Sequence, residues 1–204
     1  MIRKIIIFVD IVIVLCFLLS LNPGVREKID SINYDTSKKQ ATIDVTFIKD
    51  EGIEDISVYQ DAIASIPYDI IVAFKNESWS IYIKNDLDDS GLTDYSEKII
   101  YINGSEKGQE KNTLIHEFGH FEDYITSSSS NEDFLDLYNK YKDSYVEYDY
   151  LNLQNVINNE ESHYAASNER EFFAICFKDY LLHNTYIKDT YPELFTYYKI
   201  LLKQ

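Results

Sequence analysis

The feature that most constrains this chain is a five-residue motif that begins at His116 and ends at His120. It has the pattern H-E-x-x-H, with Glu117 directly after the first histidine. On an α-helix, residues four apart lie on one face, one turn above each other. Both imidazoles can then point at one metal ion, and Glu117 can reach a water molecule on that ion. This arrangement is the signature of zinc hydrolases. The alternative is two solvated histidines on an amphipathic helix.

A catalytic zinc ion has three protein ligands and one open position, so the motif predicts a further ligand elsewhere. The extended metzincin motif would need Gly and His where this chain has Asp123 and Thr126, which excludes that class. Glu171 is favoured as the third ligand, because it opens an apolar helix that would bury its phenylalanines and hold the carboxylate rigidly. Glu169 is its main rival. The other candidates, which include a loop histidine and one near a helix C-terminus, are Glu160, Glu161, His163 and His183.

The first 21 residues form a separate targeting segment. A positively charged start precedes an apolar run, which is typical of a secretory signal peptide or of a retained N-terminal membrane anchor. Asp10 lies inside the run, where a charge is costly in a membrane, and both alternatives stay open. Either one places the rest of the chain outside the cytoplasm. A polar connector over 22–40 then leads to a folded domain over 41–204.

The charge of the chain excludes some classes of partner. The net charge is −16 over 204 residues, which argues against nucleic acid and against an anionic membrane surface for the folded part. A basic or neutral peptide is compatible with this charge, although solubility alone also explains it. The two cysteines, Cys16 and Cys176, provide no disulfide framework. We expect a monomer that contacts a membrane only through its N-terminal segment.

Hydrophobic periodicity predicts an α+β fold, with a small mixed sheet packed on a helical half. Alternating patterns predict strands near 43–47 and over 78–84 and 98–103, and an apolar run predicts a buried strand over 68–74. Asn112 or Thr113 is the predicted N-cap of the helix that carries the H-E-x-x-H motif. Ser167 or Asn168 is the predicted N-cap of the helix that carries Glu171. Six helices are predicted, over 53–66, 112–125, 132–142, 149–158, 168–182 and 192–202. Those over 132–142 and 149–158 are expected to be partly irregular.

An acidic loop over 85–96 has the spacing of a calcium-binding loop. A helix–loop–helix calcium site lies between two helices, whereas here the flanking segments are predicted strands. The alternative is a solvated hairpin loop with a turn at Gly91. The calcium ligands would be Asp86, Asp88, Ser90 and Glu97.

The metal motif, Asp123, Tyr164 and the run from Glu171 to Ala174 together resemble the anthrax-lethal-factor-like zinc metallopeptidases. That family includes the small secreted Pro-Pro endopeptidases of Gram-positive bacteria. In the family a tyrosine precedes the glutamate ligand by seven residues, and Tyr164 precedes Glu171 by seven. An aromatic-Phe-Ala run follows the glutamate, as it does here. The resemblance covers about residues 98–182.

The resemblance implies a zincin-type, gluzincin-like domain with one zinc ion on His116, His120 and Glu171. It also implies Glu117 as the general base and Tyr164 as a hydroxyl donor to the transition state. These roles agree with the chemistry of a zinc-activated water that attacks a polarised carbonyl.

Three further residues or segments have candidate supporting roles. Asp123 can accept a hydrogen bond from the second ring nitrogen of a ligand histidine, or it is an ordinary surface carboxylate. The strand over 98–103 can add an extended peptide at a sheet edge. Trp79 lines the cleft or belongs to the core.

The leading hypothesis is a zinc-dependent endopeptidase that hydrolyses peptide bonds of extracellular proteins and binds them in extended form. The alternative is a catalytically silent binding or toxin-associated surface module that keeps a metalloprotease fold. The presence of Glu117 argues against a silent module, which has no need of a base. A structural zinc site is disfavoured, because closed sites use four ligands and only three are evident.

Overall fold

A computed structural model of the chain describes residues 45–150 and 167–203, which belong to one unit, Ala41–Lys203. The predicted targeting segment and connector lie outside the described residues, and so do His163 and Tyr164. Within the described ranges, no helix combines the length and the apolar character that a membrane span requires.

The described residues contain a four-stranded mixed sheet in the order β1-β2-β4-β3. β1 is parallel to β2, β2 is parallel to β4, and β3 is antiparallel to β4. Alternate residues of the two inner strands are buried, because successive side chains of a strand point to opposite faces. The strands are β1 (Phe47–Lys49), β2 (Ser80–Lys84), β3 (Gly91–Asp94) and β4 (Ile99–Asn103).

The same residues form seven α-helices, of which the third carries the H-E-x-x-H motif. This helix lies against β3 and β4 on one side and against the fifth helix on the other. The helices are α1 (Ser57–Ile63), α2 (Tyr68–Asn76), α3 (Glu110–Thr126), α4 (Glu132–Tyr141), α5 (Glu169–Leu182), α6 (Asn184–Thr190) and α7 (Pro192–Leu201). The predicted α+β class, with a small sheet packed on a helical half, is confirmed.

Aromatic side chains fill the core on both sides of α3 and α5. Phe118 and Phe121 of α3 contact the ring of Phe74, with ring centroids 4.8 and 5.1 Å away. Trp79 is 3% exposed and packs edge-on against Phe121, so it belongs to the core. The phenylalanines of α5 are fully buried, as the apolar run after Glu171 predicts.

The predicted strand over 68–74 is wrong, because this segment is helix α2. Its buried residues Ile70, Ile71 and Phe74 follow helical spacing, and Pro67 stands at the N-cap with extended backbone angles. A continuous apolar run of this length does not distinguish a buried strand from a buried helix. The helix predicted over 53–66 is shorter in the structure, and α6 was not predicted.

Part of the predicted acidic loop is strand β3, which the sequence analysis missed. Gly91 and Asp94 are poor strand formers, and only their pairing with β4 makes this segment a strand. The prediction that the 98–103 strand lies at a sheet edge is therefore wrong. Among the described residues, β4 lies between β2 and β3, and β3 is the edge strand on this side of the sheet.

Helices α3 and α5 approach each other very closely at Gly119. A Cβ atom at Gly119 would lie 2.7 Å from the Ala174 Cα and 3.1 Å from the Ala174 Cβ. The backbones of the two helices can touch here because Gly119 and Ala174 are both small. Any larger side chain at Gly119 must push the two helices apart.

We expect Gly119→Ala to lower the free energy of unfolding by about 1–3 kcal/mol, because the added methyl group overpacks the contact. The sign is diagnostic, since Gly→Ala inside a helix otherwise stabilises by about 0.5–1 kcal/mol. Guanidinium chloride unfolding measures the change. The control is the pair Asp136→Ala and Asp136→Gly on the exposed face of α4. There the Ala variant should have the higher free energy of unfolding, by about 1 kcal/mol. A Gly119→Ala variant as stable as the wild type would contradict the prediction.

A buried charge network ties the segment before residue 150 to α5. The Lys178 side chain, 4% exposed, donates to Glu147 and, at 2.7 Å, to the Asp149 Oδ2 atom. Its Nζ atom lies 3.7 Å from the Asp179 Oδ1 atom. Burial alone would lower the pKa of Lys178, but the three neighbouring carboxylates raise it. The network therefore keeps the lysine charged in the interior.

Asp179 is fully buried and accepts hydrogen bonds from the Tyr145 hydroxyl at 2.8 Å and the Tyr148 N–H at 3.0 Å. Burial raises its pKa to about 6, although Lys178 and the two hydrogen bonds act in the opposite direction. The unfolded chain has an aspartate pKa of about 3.9. The contribution of Asp179 to stability is therefore present at low pH and is lost as the pH rises through about 6.

We expect the free energy of unfolding of Asp179→Asn, relative to that of the wild type, to be about 2 kcal/mol higher at pH 8 than at pH 4.5, because the amide carries no charge to bury. Guanidinium chloride unfolding at both pH values measures this difference. Asp136→Asn on the exposed face of α4 controls for the loss of one negative charge. If the difference between the wild type and Asp179→Asn is the same at both pH values, the prediction fails.

Candidate metal and catalytic site

The two motif histidines lie on one face of α3, as predicted. Their ring centroids are 4.8 Å apart and their planes are nearly perpendicular. His120 is buried, whereas the His116 side chain is 16% exposed. Helix α3 begins at Glu110 with Gln109 at its N-cap, so the predicted caps Asn112 and Thr113 are wrong.

Glu171 lies in the first turn of α5 and points at both histidines. The Asn168 side chain caps this helix by accepting from the Arg170 and Glu171 N–H groups at 3.0 Å each, which confirms one of the two predicted caps. The Glu171 Oε2 atom lies 3.3 Å from the His116 Nε2 atom, and its Oε1 atom lies 3.4 Å from the His120 Nε2 atom. A carboxylate in the first turn is also favoured by the helix dipole.

These three side chains fit a divalent metal ion. Their ligand atoms lie within 4.8 Å of one another, and no other such group of His, Cys, Asp or Glu occurs in 45–150 or 167–203. The Glu171 Oε2 atom is buried, yet no described residue donates a hydrogen bond to it. A bound ion would satisfy this oxygen. Two imidazole nitrogens and one carboxylate are a donor set that zinc accepts, with one position left open.

The electrostatics of the site favour a cation. Burial alone would raise the pKa of Glu171, but the two histidines lower it well below its usual range. Burial alone would lower the pKa of His120, but the carboxylates of Glu171 and Glu117 raise it. The site thus concentrates negative charge around two nitrogen donors.

Glu117 is 5% exposed and faces the edge strand of the sheet rather than helix α5. Its Oε2 atom accepts a hydrogen bond from the Thr93 hydroxyl at 2.7 Å. The same hydroxyl lies 3.3 Å from the backbone carbonyl oxygen of Glu117. A carboxylate that follows the first motif histidine is thereby held next to the metal-binding group.

Comparison with known proteins adds a finding about the fold. No protein-family model matches the chain, and no curated protein matches its sequence. Among solved structures, the chain is similar to the Pro-Pro endopeptidase of Paenibacillus alvei, at 19% identity and a TM-score of 0.54. The similarity covers 81% of this chain and 99% of that chain. At this identity the similarity concerns the fold alone, so the chain shares the fold of that endopeptidase.

The rival third ligand, Glu169, lies two residues before Glu171 but is not part of the converging group. Burial and the nearby Glu169 carboxylate raise the pKa of Tyr138, a residue of α4. The geometry therefore favours Glu171. The candidates Glu160 and Glu161 lie outside the described residues.

Two other predicted residues have structural partners in the described part of the chain. Asp123 accepts from the Ser129 N–H at 2.6 Å and the Ser129 hydroxyl at 2.7 Å, so its hydrogen bonds fix the turn after α3 rather than a ligand histidine. His183 is the C-cap of α5, about 18 Å along that helix from Glu171. Its ring stacks on Tyr148, with centroids 3.6 Å apart.

The described structure gives the predicted calcium site no support. Asp86, Asp88 and Glu97 do not form a group of converging ligand atoms. Glu97 accepts a hydrogen bond from the Tyr101 hydroxyl at 2.5 Å instead. β3 also begins within the proposed loop, directly after Ser90.

The contribution of β3 to the site was not predicted from the sequence. The alternation of Gly91 and Thr93, two residues apart, was the available signal, but the acidic neighbours obscured it. Tyr95, which follows β3 and stacks on Tyr124 of α3 at 5.3 Å, was not predicted either. Burial raises the pKa of Tyr95 to about 12, with smaller effects from nearby charges that include Glu117 and Glu171.

Glu171→Gln is expected to raise the Kd for zinc at least about 100-fold. Loss of a direct metal ligand should weaken zinc binding no less than loss of a residue that only hydrogen-bonds a ligand. Isothermal titration with zinc measures the affinity. Thermal unfolding with zinc at about 100 times Kd should show about 2.7 kcal/mol of added stability in the wild type and much less in the variant. Glu169→Gln is the matched control and should change Kd less than about threefold. A larger loss in Glu169→Gln than in Glu171→Gln would reverse the assignment.

Proposed function

We propose that this chain is a zinc-dependent endopeptidase that hydrolyses peptide bonds of extracellular proteins. The observation that carries the proposal is the convergence of His116, His120 and Glu171 within 4.8 Å, with Glu117 in the same helix, directly after His116. The fold supports it, since the similar solved structure is a Pro-Pro endopeptidase. Three protein ligands also suit a catalytic ion better than a closed structural site.

Each residue has a distinct role in this proposal. A zinc ion held by His116, His120 and Glu171 would lower the pKa of a water molecule and polarise the scissile carbonyl. Glu117 accepts the proton of the attacking water and passes it to the leaving amine. Tyr164, which lies outside the described residues, donates a hydrogen bond to the developing oxyanion. Its support is the spacing to Glu171 that resembles the lethal-factor-like family.

The substrate is proposed to bind as an extended chain along β3. β3 is an edge strand, and an edge presents backbone groups that can pair with a peptide. It also adjoins Glu117 through Thr93, so a peptide on this edge would run past the base. Leu92 on the strand is 46% exposed, and so is Tyr124, which stacks on Tyr95 just after the strand. Both would provide apolar contacts for substrate side chains.

The proposed location is extracellular. The apolar segment over 1–21 would direct export as a signal peptide or retain the protein at the membrane surface. The net charge of −16 is compatible with basic or neutral peptide substrates. Sequences that contain adjacent prolines are the first to test, because the similar structure belongs to an enzyme named for them.

We expect Glu117→Gln to lower kcat by about 10²–10⁴-fold while zinc remains bound, because the amide cannot accept the proton. Cleavage of a peptide library that includes adjacent prolines, read by mass spectrometry with and without a chelator, identifies the substrate on which kcat is measured. Metal content by elemental analysis is measured on the same samples. Glu169→Gln is the matched control and should keep full activity.

The outcomes separate the hypotheses. Full activity in Glu117→Gln would overturn the mechanism. A wild-type protein with one bound zinc and no cleavage of any library sequence would favour the silent binding module. Loss of zinc from Glu117→Gln would mean that Glu117 is needed for the metal site itself, contrary to the proposed role.

A further inference from the structure

The edge strand β3 contacts the catalytic candidate Glu117 at two alternate residues. The Thr93 hydroxyl donates to the Glu117 Oε2 atom at 2.7 Å, and both residues are buried. Gly91 lies two residues earlier on the same face of the strand. Leu92, on the opposite face between them, is 46% exposed. The strand therefore presents one hydroxyl and one bare backbone to helix α3.

Gly91 has no room for a side chain at this contact. A Cβ atom would lie 2.6 Å from the Glu117 Oε1 atom and 2.9 Å from the Glu117 Cγ atom. It would also lie 2.7 Å from the Thr113 Cγ2 atom, one helical turn before Glu117. The Glu117 side chain thus occupies the space that any other residue at position 91 would fill.

Together these contacts restrict the two carboxylate oxygens of Glu117 in different ways. Oε2 is held by a hydrogen bond from Thr93, and Oε1 lies against the backbone of Gly91. A glutamate side chain has three rotatable bonds, and holding it in one orientation has an entropic cost that such contacts offset. A general base must lie within hydrogen-bond reach of the proton it accepts, so its orientation matters for the rate.

We infer that Gly91 and Thr93 are positioning residues that hold the Glu117 carboxylate in place for proton transfer. The inference rests on the proposed function, since it concerns the base of that reaction. It has a structural consequence. β3, the strand on which an extended peptide would pair, is also the strand that orients the base. The position of the base relative to a peptide on this edge is then set within a single strand rather than across two separate elements.

A purely structural role for Thr93 makes a different prediction. The Thr93 hydroxyl also lies 3.3 Å from the Glu117 carbonyl oxygen, so it could serve only to fasten β3 to α3. Loss of a fastening contact lowers the free energy of unfolding and leaves kcat of the folded enzyme unchanged. Loss of a positioning contact lowers kcat in a protein that remains folded and binds zinc normally.

The test compares Thr93→Val, which keeps the shape and removes the donor, with Thr93→Ser, which keeps the donor. We expect Thr93→Val to lower kcat by about 10- to 100-fold, as for a hydrogen bond to a charged group, with KM within about threefold. Thr93→Ser should retain at least about half of the wild-type kcat. Thr196→Val is the matched control. It removes a threonine hydroxyl that donates to the Pro192 carbonyl oxygen within α7 and does not contact Glu117.

A second variant, Gly91→Ala, tests the same contacts by steric displacement. Its methyl group should displace the Glu117 carboxylate and lower kcat at least as much as Thr93→Val does. Zinc-bound crystal structures of the wild type and both variants provide a readout that does not depend on activity. The Glu117 carboxylate should have one position in the wild type and a shifted or multiple position in each variant.

The outcomes are distinguishable from failure of the proposed function. Unchanged kcat in Thr93→Val, or an unmoved Glu117 carboxylate in both variants, overturns the inference. Equal loss in Thr93→Ser and Thr93→Val also overturns it, because the hydroxyl would not be the cause. If the wild type cleaves no peptide but Glu117 moves in both variants, the positioning stands and the endopeptidase proposal fails.

Discussion

The close contact between α3 and α5 at Gly119 and Ala174 is the constraint on which the site depends. The candidate third ligand, Glu171, and the two histidines come from helices that are about fifty residues apart in sequence. Their side chains reach a common point only because the two backbones touch, so closely that a Cβ atom at Gly119 would lie 2.7 Å from the Ala174 Cα. Buried phenylalanines on both helices then hold this spacing, since a close-packed interior resists small displacements.

Most buried polar groups around this contact have partners. The Glu171 carboxylate lies in the first turn of α5, where the helix dipole favours a negative charge. Asp123 is satisfied by Ser129, and Lys178 by three carboxylates that connect α5 to the segment before residue 150. The Glu171 Oε2 atom is one of five buried side-chain atoms of the described residues that have no hydrogen-bond partner, and it lies 3.3 Å from the His116 Nε2 atom. A buried oxygen without a donor, beside two imidazole nitrogens, is where a ligand is expected.

The local signals in the sequence predicted the parts of the fold that depend on local chemistry. The Asn168 cap and the apolar run after Glu171 predicted α5, and the apolar run favoured Glu171 over Glu169 as the third ligand. The segment over 68–74 was predicted incorrectly, because an apolar run satisfies a buried strand and a buried helix equally well. β3 was missed because its residues have weak strand propensity, and its conformation comes from pairing with β4.

The sequence by itself determined the candidate chemistry of this protein. Residue types and spacing along single helices identified two histidines, a base and a candidate third ligand, because helical periodicity is a local property. Only the tertiary structure decided what lies around them. It showed that β4 is internal and β3 is the edge, that Asp123 serves a turn, and that Gly91 and Thr93 contact Glu117. These facts depend on strand order and on backbone approach between distant segments, which no local pattern encodes.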